Sequence, residues 1–580
     1  MAFLRNLLAV LVGLFIFSII GFFMFLGFVS ALTASTDPVP EIEANSVLHL
    51  EISGIIAERS VEDPIKEMLS AQPTPLDLMD LLMAIRKAKT DERIRGIYLE
   101  PKFVMTGSGS LQEIRDALLD FKTSGKFVYA YGEYLGEGDY YLASIADSIT
   151  LQPTGSLEFN GLSANVVFFK GLFDKLDIQP EIFRVGEFKS FIEPFVRKSM
   201  SEENRLQLSE LIGSVHSTYL NNVSESRGIA VDRLTEISNQ MLVRLPEDAR
   251  QLGLVDHVGY EDEVIASIKQ QLGLATDDKF PLTGIRKYMK VARAGGYSKN
   301  KIAVIVANGD IIMGESMEAV GGDQFVREIQ KARENDAIKA IVLRVNSPGG
   351  SLTASDMIWR EVMRTKGNKP IIASMADVAA SGGYYISMAC DTIVAQPNTI
   401  TGSIGIFGIL FNFGDFLENK LGITTDNVKT GEYSDMYNLT RPLTSYERTI
   451  IQTQVEAGYD TFIAKAALGR GMSEEAINEI AGGRVWTGVQ AQERGLVDLM
   501  GSLEDAVKVA AEKAGVSDDY SVRFFPEQKP FLDRLLEDLT TVKWSIFEKD
   551  SPFRSYEDQL KSLQRMKGVQ ARMAGDVQIN

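Results

Sequence analysis

The sequence predicts an α/β protein of two tandem repeats behind one N-terminal transmembrane helix. Three observations predict it. The chain opens with a long uncharged stretch, apolar strand-like runs then alternate with amphipathic stripes, and one set of motifs occurs twice, in the same order, along 580 residues.

The first element is the uncharged stretch, Leu7 to Leu32. At ~1.5 Å per residue it outreaches a hydrocarbon core of ~30 Å. A cleaved signal peptide normally has an apolar region of ~7–15 residues and a small-x-small cleavage site. This stretch is far longer, and Ala31-Leu32-Thr33-Ala34 is a poor site. Arg5 precedes it, the next basic residue is Arg59, and Asp37, Glu41 and Glu43 follow it. The positive-inside rule then leaves the N-terminus in the cytoplasm and the rest of the chain outside. Thr36-Asp37-Pro38-Val39-Pro40 reads as a stiff stalk, so residues 1–45 are expected to be anchor and stalk.

Each repeat opens with a strand-like run, Val47-Leu48-His49-Leu50 and Ile302-Ala303-Val304-Ile305-Val306, ending in turns at Gly54 and Gly309. A helical stripe follows: Leu78, Leu81, Leu82 and Ile85 in the first copy, Phe325, Ile329 and Ala332 in the second. Next comes a buried strand, Ile97 to Leu99 and Ile341 to Val345. Such alternation predicts mostly parallel sheets with helices outside. Arg286 to Asn300 is basic and contains glycine, and reads as the link between repeats. The expected division is an N-terminal repeat over 46–295, a C-terminal repeat over 296–515, and a helical tail over 516–580. In that tail Phe531, Leu532, Leu535, Leu536, Leu539 and Val542 form one stripe.

The matches between copies run the length of both. Ile94-Arg95-Gly96-Ile97-Tyr98-Leu99 matches Ile338-Lys339-Ala340-Ile341-Val342-Leu343. Gly155-Ser156 through Gly161 to Asn165 matches Gly402-Ser403 through Gly408 to Asn412. Gly253-Leu254-Val255-Asp256 matches Gly495-Leu496-Val497-Asp498. Two differences carry chemistry. Ala380-Ser381-Gly382-Gly383-Tyr384-Tyr385 aligns with Gly136-Glu137-Gly138-Asp139-Tyr140-Tyr141, so Glu137 stands in the serine position. Val185-Gly186-Glu187-Phe188-Lys189 aligns with Thr430-Gly431-Glu432-Tyr433-Ser434, so only the first copy keeps a lysine. One copy holds a serine without a base and the other a lysine without a nucleophile. The pair suggests one site assembled from both.

Composition narrows the class. A chain this long exceeds a single core and suits two or three domains. A net charge of −18 argues against nucleic acid as a partner. The single cysteine, Cys390, excludes an intrachain disulfide and reads as core.

The turn Asn346-Ser347-Pro348-Gly349-Gly350-Ser351 follows a buried strand, and its glycines leave backbone N–H groups free to face a ligand. Ser381 stands at the start of an apolar helical run with Gly382 beside it, a setting that predicts an exposed hydroxyl. The N–H of Gly382 and one from Gly349 or Gly350 would form an oxyanion hole, each donor being worth roughly 3–4 kcal/mol in acyl transfer. The three histidines, His49, His216 and His257, lie in no site-like stretch, so a lysine base is the better reading. A lysine with the ordinary pKa near 10.4 is neutral in only about 1 of 2,500 molecules at pH 7, so the base must be desolvated. Phe188, Phe191, Ile192 and Phe195 around Lys189 supply that setting.

Together the runs Val345 to Ser351, Ala379 to Tyr384, Thr401-Gly402-Ser403-Ile404-Gly405 and Arg184 to Ser190 resemble the long, two-domain form of the signal peptide peptidase A family, also called protease IV. The resemblance runs from the anchor to about residue 515. It implies a fold similar to Clp protease and crotonase, a Ser–Lys dyad of Ser381 and Lys189, and Ser403 hydrogen-bonded to the lysine amine. It further implies a homo-oligomer, a tetramer, tethered to the bacterial inner membrane with the catalytic part periplasmic. The expected substrates are cleaved signal peptides and other apolar peptides, with no cofactor and no metal. Two other classes share parts of the pattern. A crotonase-like acyl-thioester enzyme would share the oxyanion framework but have no use for Ser381. An inactive membrane scaffold would not need Ser381 or Lys189.

Overall fold

The computed structural model describes residues 2–33, 40–59, 75–275, 277–279, 281–293, 298–316, 318–527 and 570–573. The N-terminal stretch is one helix, α1 (Ala2–Thr33). Its segment Arg5–Phe23, of mean hydropathy 2.5, is long and apolar enough to cross a membrane.

The first repeat is a sheet of parallel strands wrapped by helices. Its central strands are β1 (Ser46–Ala57), β2 (Ile94–Met105), β3 (Phe127–Leu135) and β4 (Ser148–Leu157), adjacent in that order. Leu48 pairs with Ile97, Ile97 with Val128, and Ala130 with Ile149. Three helices connect them: α2 (Leu78–Thr90), α3 (Ser108–Lys122) and the short α4 (Glu137–Ala143). Parallel neighbours require crossovers, and the apolar stripe Leu78, Leu81, Leu82 and Ile85 buries α2 against the sheet. Gly54, expected to end β1 in a turn, instead sits inside it. The register with β2 slips between Ser53 and Gly54, and a φ of +67° makes the glycine a bulge rather than a stop.

Beyond β4 the chain forms β5 (Gln179–Arg184), the long helix α5 (Glu202–Arg227) and α6 (Ile285–Arg293). The last corrects the expected linker. Arg286, Lys287 and Lys290 are exposed, while Tyr288 is fully buried and donates its hydroxyl to Asp91. An amphipathic stretch is a helix wherever one face finds a core.

The second repeat repeats the plan. Its sheet runs β6 (Lys301–Asn308), β7 (Ile338–Ser347) and β9 (Ile371–Ala380) side by side. Val304 pairs with Val342, and Leu343 with Ala373. These strands are near-continuous runs of buried apolar residues, as strands covered on both faces must be. The short β8 (Gly349–Ser351) leaves the end of β7, and α7 (Gly382–Ser387) starts just past the end of β9. Later come β10 (Phe407–Asn412), α8 (Leu503–Lys513) and β11 (Ser521–Phe525), which extends the sheet beside β6.

The expected helical tail is corrected where it is described: both pieces, β11 and β12 (Gln570–Arg572), are strands. The stripe Phe531 to Val542 lies outside the described residues. A third sheet then joins the copies. It places β8, β12, β10 and β5 side by side, so strands from both repeats and the tail share one ladder.

The repeats also share a core. One apolar cluster runs from Leu48, Leu82 and Ile97 to Val304, Val342, Ile372 and Leu503. Within this contact Arg344, wholly buried, donates to both oxygens of Glu113 at 2.8 and 3.0 Å and to Glu58. Arg344 belongs to β7, whereas Glu58 and Glu113 come from the first repeat. Burial pushes the Glu58 carboxyl up to about 7 against the pull of the guanidinium.

Candidate active site

β9 ends at Ala380, and Ser381 caps α7 with φ 55° and ψ −113°. A non-glycine residue there is strained by about 1–3 kcal/mol. The strain is held by backbone bonds on both sides: Ser381 N donates to Gly402 O at 2.8 Å, and Ser381 O accepts from Tyr385 N at 2.8 Å. The hydroxyl expected to be exposed is completely buried.

Lys189 reaches that serine from the other repeat. β5 pairs antiparallel with β10, Phe183 opposite Gly408, which carries the next residues onto the second repeat. Val185 N then donates to Ile406 O at 3.2 Å and Phe188 N to Gly482 O at 3.1 Å. Gln207 of α5 ties the far side, donating to Phe188 O at 3.1 Å and to Ser190 Oγ at 2.7 Å. The approach depends on a glycine pair. A Cβ at Gly483 would lie 2.7 Å from Lys189 Cα, and one at Gly186 2.3 Å from Gly482 O. Gly482 and Gly483 are the residues that sequence reasoning missed. Their only signal is a double glycine in Ala481-Gly482-Gly483-Arg484, indistinguishable from a bare turn until its partner is known.

Lys189 Nζ lies 2.8 Å from Ser381 Oγ, and 3.0 Å from both Ser403 Oγ and Ser403 O. Ser403 is held with φ 50°, its N–H donating to Arg484 O at 2.7 Å and its hydroxyl to Gly483 O at 3.3 Å. A neutral amine has two N–H groups and one lone pair. Two donations to Ser403 therefore leave the lone pair for the Ser381 hydroxyl. Lys189 is 1% exposed, and burial alone holds its pKa well below 10.5, with no carboxylate contributing. Phe191, Ile192 and Phe195 join Phe173, Phe407 and Ile409 in one apolar cluster, whereas Phe188, also expected in that setting, is half-buried under the Arg484 guanidinium.

The expected oxyanion glycines separate. Gly349 lies against Gly382: a Cβ on it would sit 2.6 Å from Gly382 N, and its φ of +102° also favours glycine. Gly350 faces the other way. It pairs with Ile311, whose carbonyl would meet its Cβ at 2.0 Å. Gly349 N donates to Ser347 Oγ at 3.2 Å.

The equivalent place in the first repeat is different. Glu137 begins α4, and its carboxylate accepts from Asn160 N at 2.8 Å and Gly161 N at 2.7 Å. In the second repeat the counterpart to Lys189, Ser434, is exposed and bonds its own turn at Gly431 O. The histidines take structural roles: His49 pairs with Glu100, His216 stacks on Tyr219, and His257 sits in a two-residue edge strand.

The model for peptidase family S49 matches residues 120–275 and 363–517, more than half of the chain. The chain belongs to peptidase family S49. The Clp protease model matches residues 294–401 of the same S49 peptidase, in keeping with its parallel sheets. The serine protease SPPA of Arabidopsis thaliana chloroplasts is 34% identical over 549 residues, 93% of this chain and 79% of its own. Protease 4 of Haemophilus influenzae is 36% identical over 527 residues, 87% and 85% of the two chains. A putative signal peptide peptidase SppA of Enterococcus faecium is 38% identical over 229 residues, 38% of this chain and 66% of its own. This S49 peptidase is therefore a serine protease of the two-repeat form, with a Clp-like α/β fold.

Proposed function

We propose that this S49 peptidase hydrolyses apolar peptides, cleaved signal peptides among them, with Ser381 as nucleophile and Lys189 as general base. The observation that carries the reading is the 2.8 Å contact of a buried lysine amine, free of acidic neighbours, with a strained serine at a helix start. Lys189 takes the Ser381 proton as Oγ attacks the scissile carbonyl. The lysine then holds a charge that its surroundings disfavour, so it gives the proton to the leaving amine. A water activated by the same amine releases the acyl group. Ser403 positions Nζ, and Gly382 with Gly349 flanks the place where the oxyanion forms. Residues 46–295 thus supply the base and 296–515 the nucleophile.

The substrate class rests on three supports: the apolar helix at the N-terminus, the apolar cluster of Phe191, Ile192 and Phe195 that follows Lys189 in the chain, and the likeness to the putative signal peptide peptidase of Enterococcus faecium. Arg5 before the apolar segment and acidic residues after it favour a cytoplasmic N-terminus and a catalytic part on the far side of the bacterial inner membrane. The test is labelling with a phosphonofluoridate, followed by mass spectrometry of the modified peptide. One label per chain, on Ser381, is expected. A modified serine elsewhere, including the first repeat where Glu137 stands, would refute the assignment.

The repeat also supports a homo-oligomer, four copies by the family resemblance. Within the chain β5 pairs with β10. Their counterparts are residues 424–429, which form no strand, and 160–165, which hold only an isolated bridge at Ala164. Within the first of them Val428 is 97% exposed. A second copy would let the counterparts pair as their equivalents do. Leu410 lies opposite Glu181, so Ser163 of one copy should face Asp426 of the next. Cysteines at both positions are expected to give chain-to-chain disulfides under mild oxidation. Monomer alone would contradict that interface.

A further inference from the structure

The slot beside the dyad is filled by the chain's own C-terminal segment. β12 lies between β8 and β10, antiparallel to both: Gly349 faces Arg572, Gly350 faces Ala571, and Phe407 faces Gln570. Met573 N continues the ladder, donating to Pro348 O at 2.7 Å. β8 and β10 have no pairing with each other, so the slot is one strand wide. An extended peptide binds such a gap through main-chain hydrogen bonds, while alternate side chains fill pockets.

The fit is specific at each position. Ala571 is fully buried, and its carbonyl oxygen lies in the notch between Gly349 and Gly382, 2.1 and 2.9 Å from Cβ atoms built on those glycines. That notch is the one assigned above to the oxyanion. Met573 enters an apolar pocket made by Leu208 and Leu211 of α5 with Ala380 and Val485. Arg572 points the other way, paired with Asp310 at 2.9 Å. Ser381 is 0% and Lys189 1% exposed, so the dyad is sealed with the strand in place.

We propose that residues 570–573 occupy the peptide-binding slot of the active site and compete with substrate. The slot takes a small residue at the position of Ala571 and an apolar one at the position of Met573, where Leu208, Leu211 and Val485 set the preference. The inference rests on Ser381 and Lys189 being the dyad. The strand must leave before a substrate can enter, and an apolar peptide of matching pattern displaces it.

The test uses the full chain. Ala571→Asp places a charge in a fully buried position of the slot and expels the strand. Phosphonylation of Ser381 and turnover of a soluble fluorogenic peptide are expected to rise at least tenfold. Arg572→Ala, which removes the pair to Asp310 and the cation–π contact with Phe191, should give a smaller rise in the same direction. A synthetic peptide of residues 569–574 should inhibit Ala571→Asp competitively, and the same peptide with Asp in place of Ala571 should not. Labelling no faster in a folded Ala571→Asp protein, or no inhibition by the peptide, overturns the proposal. If Ala571→Asp does not fold, Arg572→Ala and the peptide decide by the same criteria. Equal labelling of Ser381 in all proteins removes the tail's role and leaves the dyad standing. No labelling of Ser381 in any of them removes the dyad, and this inference with it.

Discussion

Lys189→Met is expected to abolish peptide hydrolysis while leaving the fold intact. Methionine keeps most of the apolar stem and removes the amine that contacts Ser381 Oγ. Ser381→Ala should be equally inactive, since nucleophile and base act as a unit. Losses for such units are roughly 10⁴-fold or more and do not add when combined. Lys189→Arg should also be inactive, because a guanidinium cannot serve as a base. The comparison is made on protein with unchanged circular dichroism. Activity within tenfold of wild type in folded Lys189→Met would show that another group is the base.

The second large effect concerns stability. Arg344→Met is expected to destabilise the protein by about 3–5 kcal/mol, because it leaves two buried carboxylates without their cation. Glu58 and Glu113 belong to the first repeat and Arg344 to the second, so the loss falls on the contact between the repeats. Urea unfolding measures it. The pH dependence has a definite sign. Glu58 is raised in the folded state from 4.5 to about 7, so the folded protein holds its proton more tightly than the unfolded chain. Its contribution to stability is full below pH 4.5 and is lost as pH rises through about 7. Glu58→Gln should flatten that slope. An unchanged urea midpoint in Arg344→Met would contradict the role given to this cluster.

Much of the architecture was legible because the chain repeats. Matches such as Ile94 to Leu99 with Ile338 to Leu343 place equivalent strands, and the two broken alignments at Glu137 and Ser434 single out Ser381 and Lys189. What stayed hidden depends on contacts between distant residues. Gly482 and Gly483 matter only because the Lys189 backbone rests on them. The Arg344 cluster joins β7 to residues far away in sequence, so no periodicity marks it. The helix α6 and the tail strand β12 take their form from surfaces that receive them, Asp91 for Tyr288 and the slot beside Gly349 for Ala571.

The central claim is that Lys189 is the neutral base that activates Ser381. The direct measurement is the rate of Ser381 phosphonylation as a function of pH, on wild type and on Lys189→Met. Burial lowers the Lys189 pKa well below 10.5, so the wild-type rate should rise with pH along one limb placed below the ordinary lysine range, as the amine loses its proton. The limb should be missing in Lys189→Met. A limb near pH 6.5, the ordinary histidine range, that vanished on replacing His49, His216 or His257 would contradict the account, as would equally fast labelling of Lys189→Met.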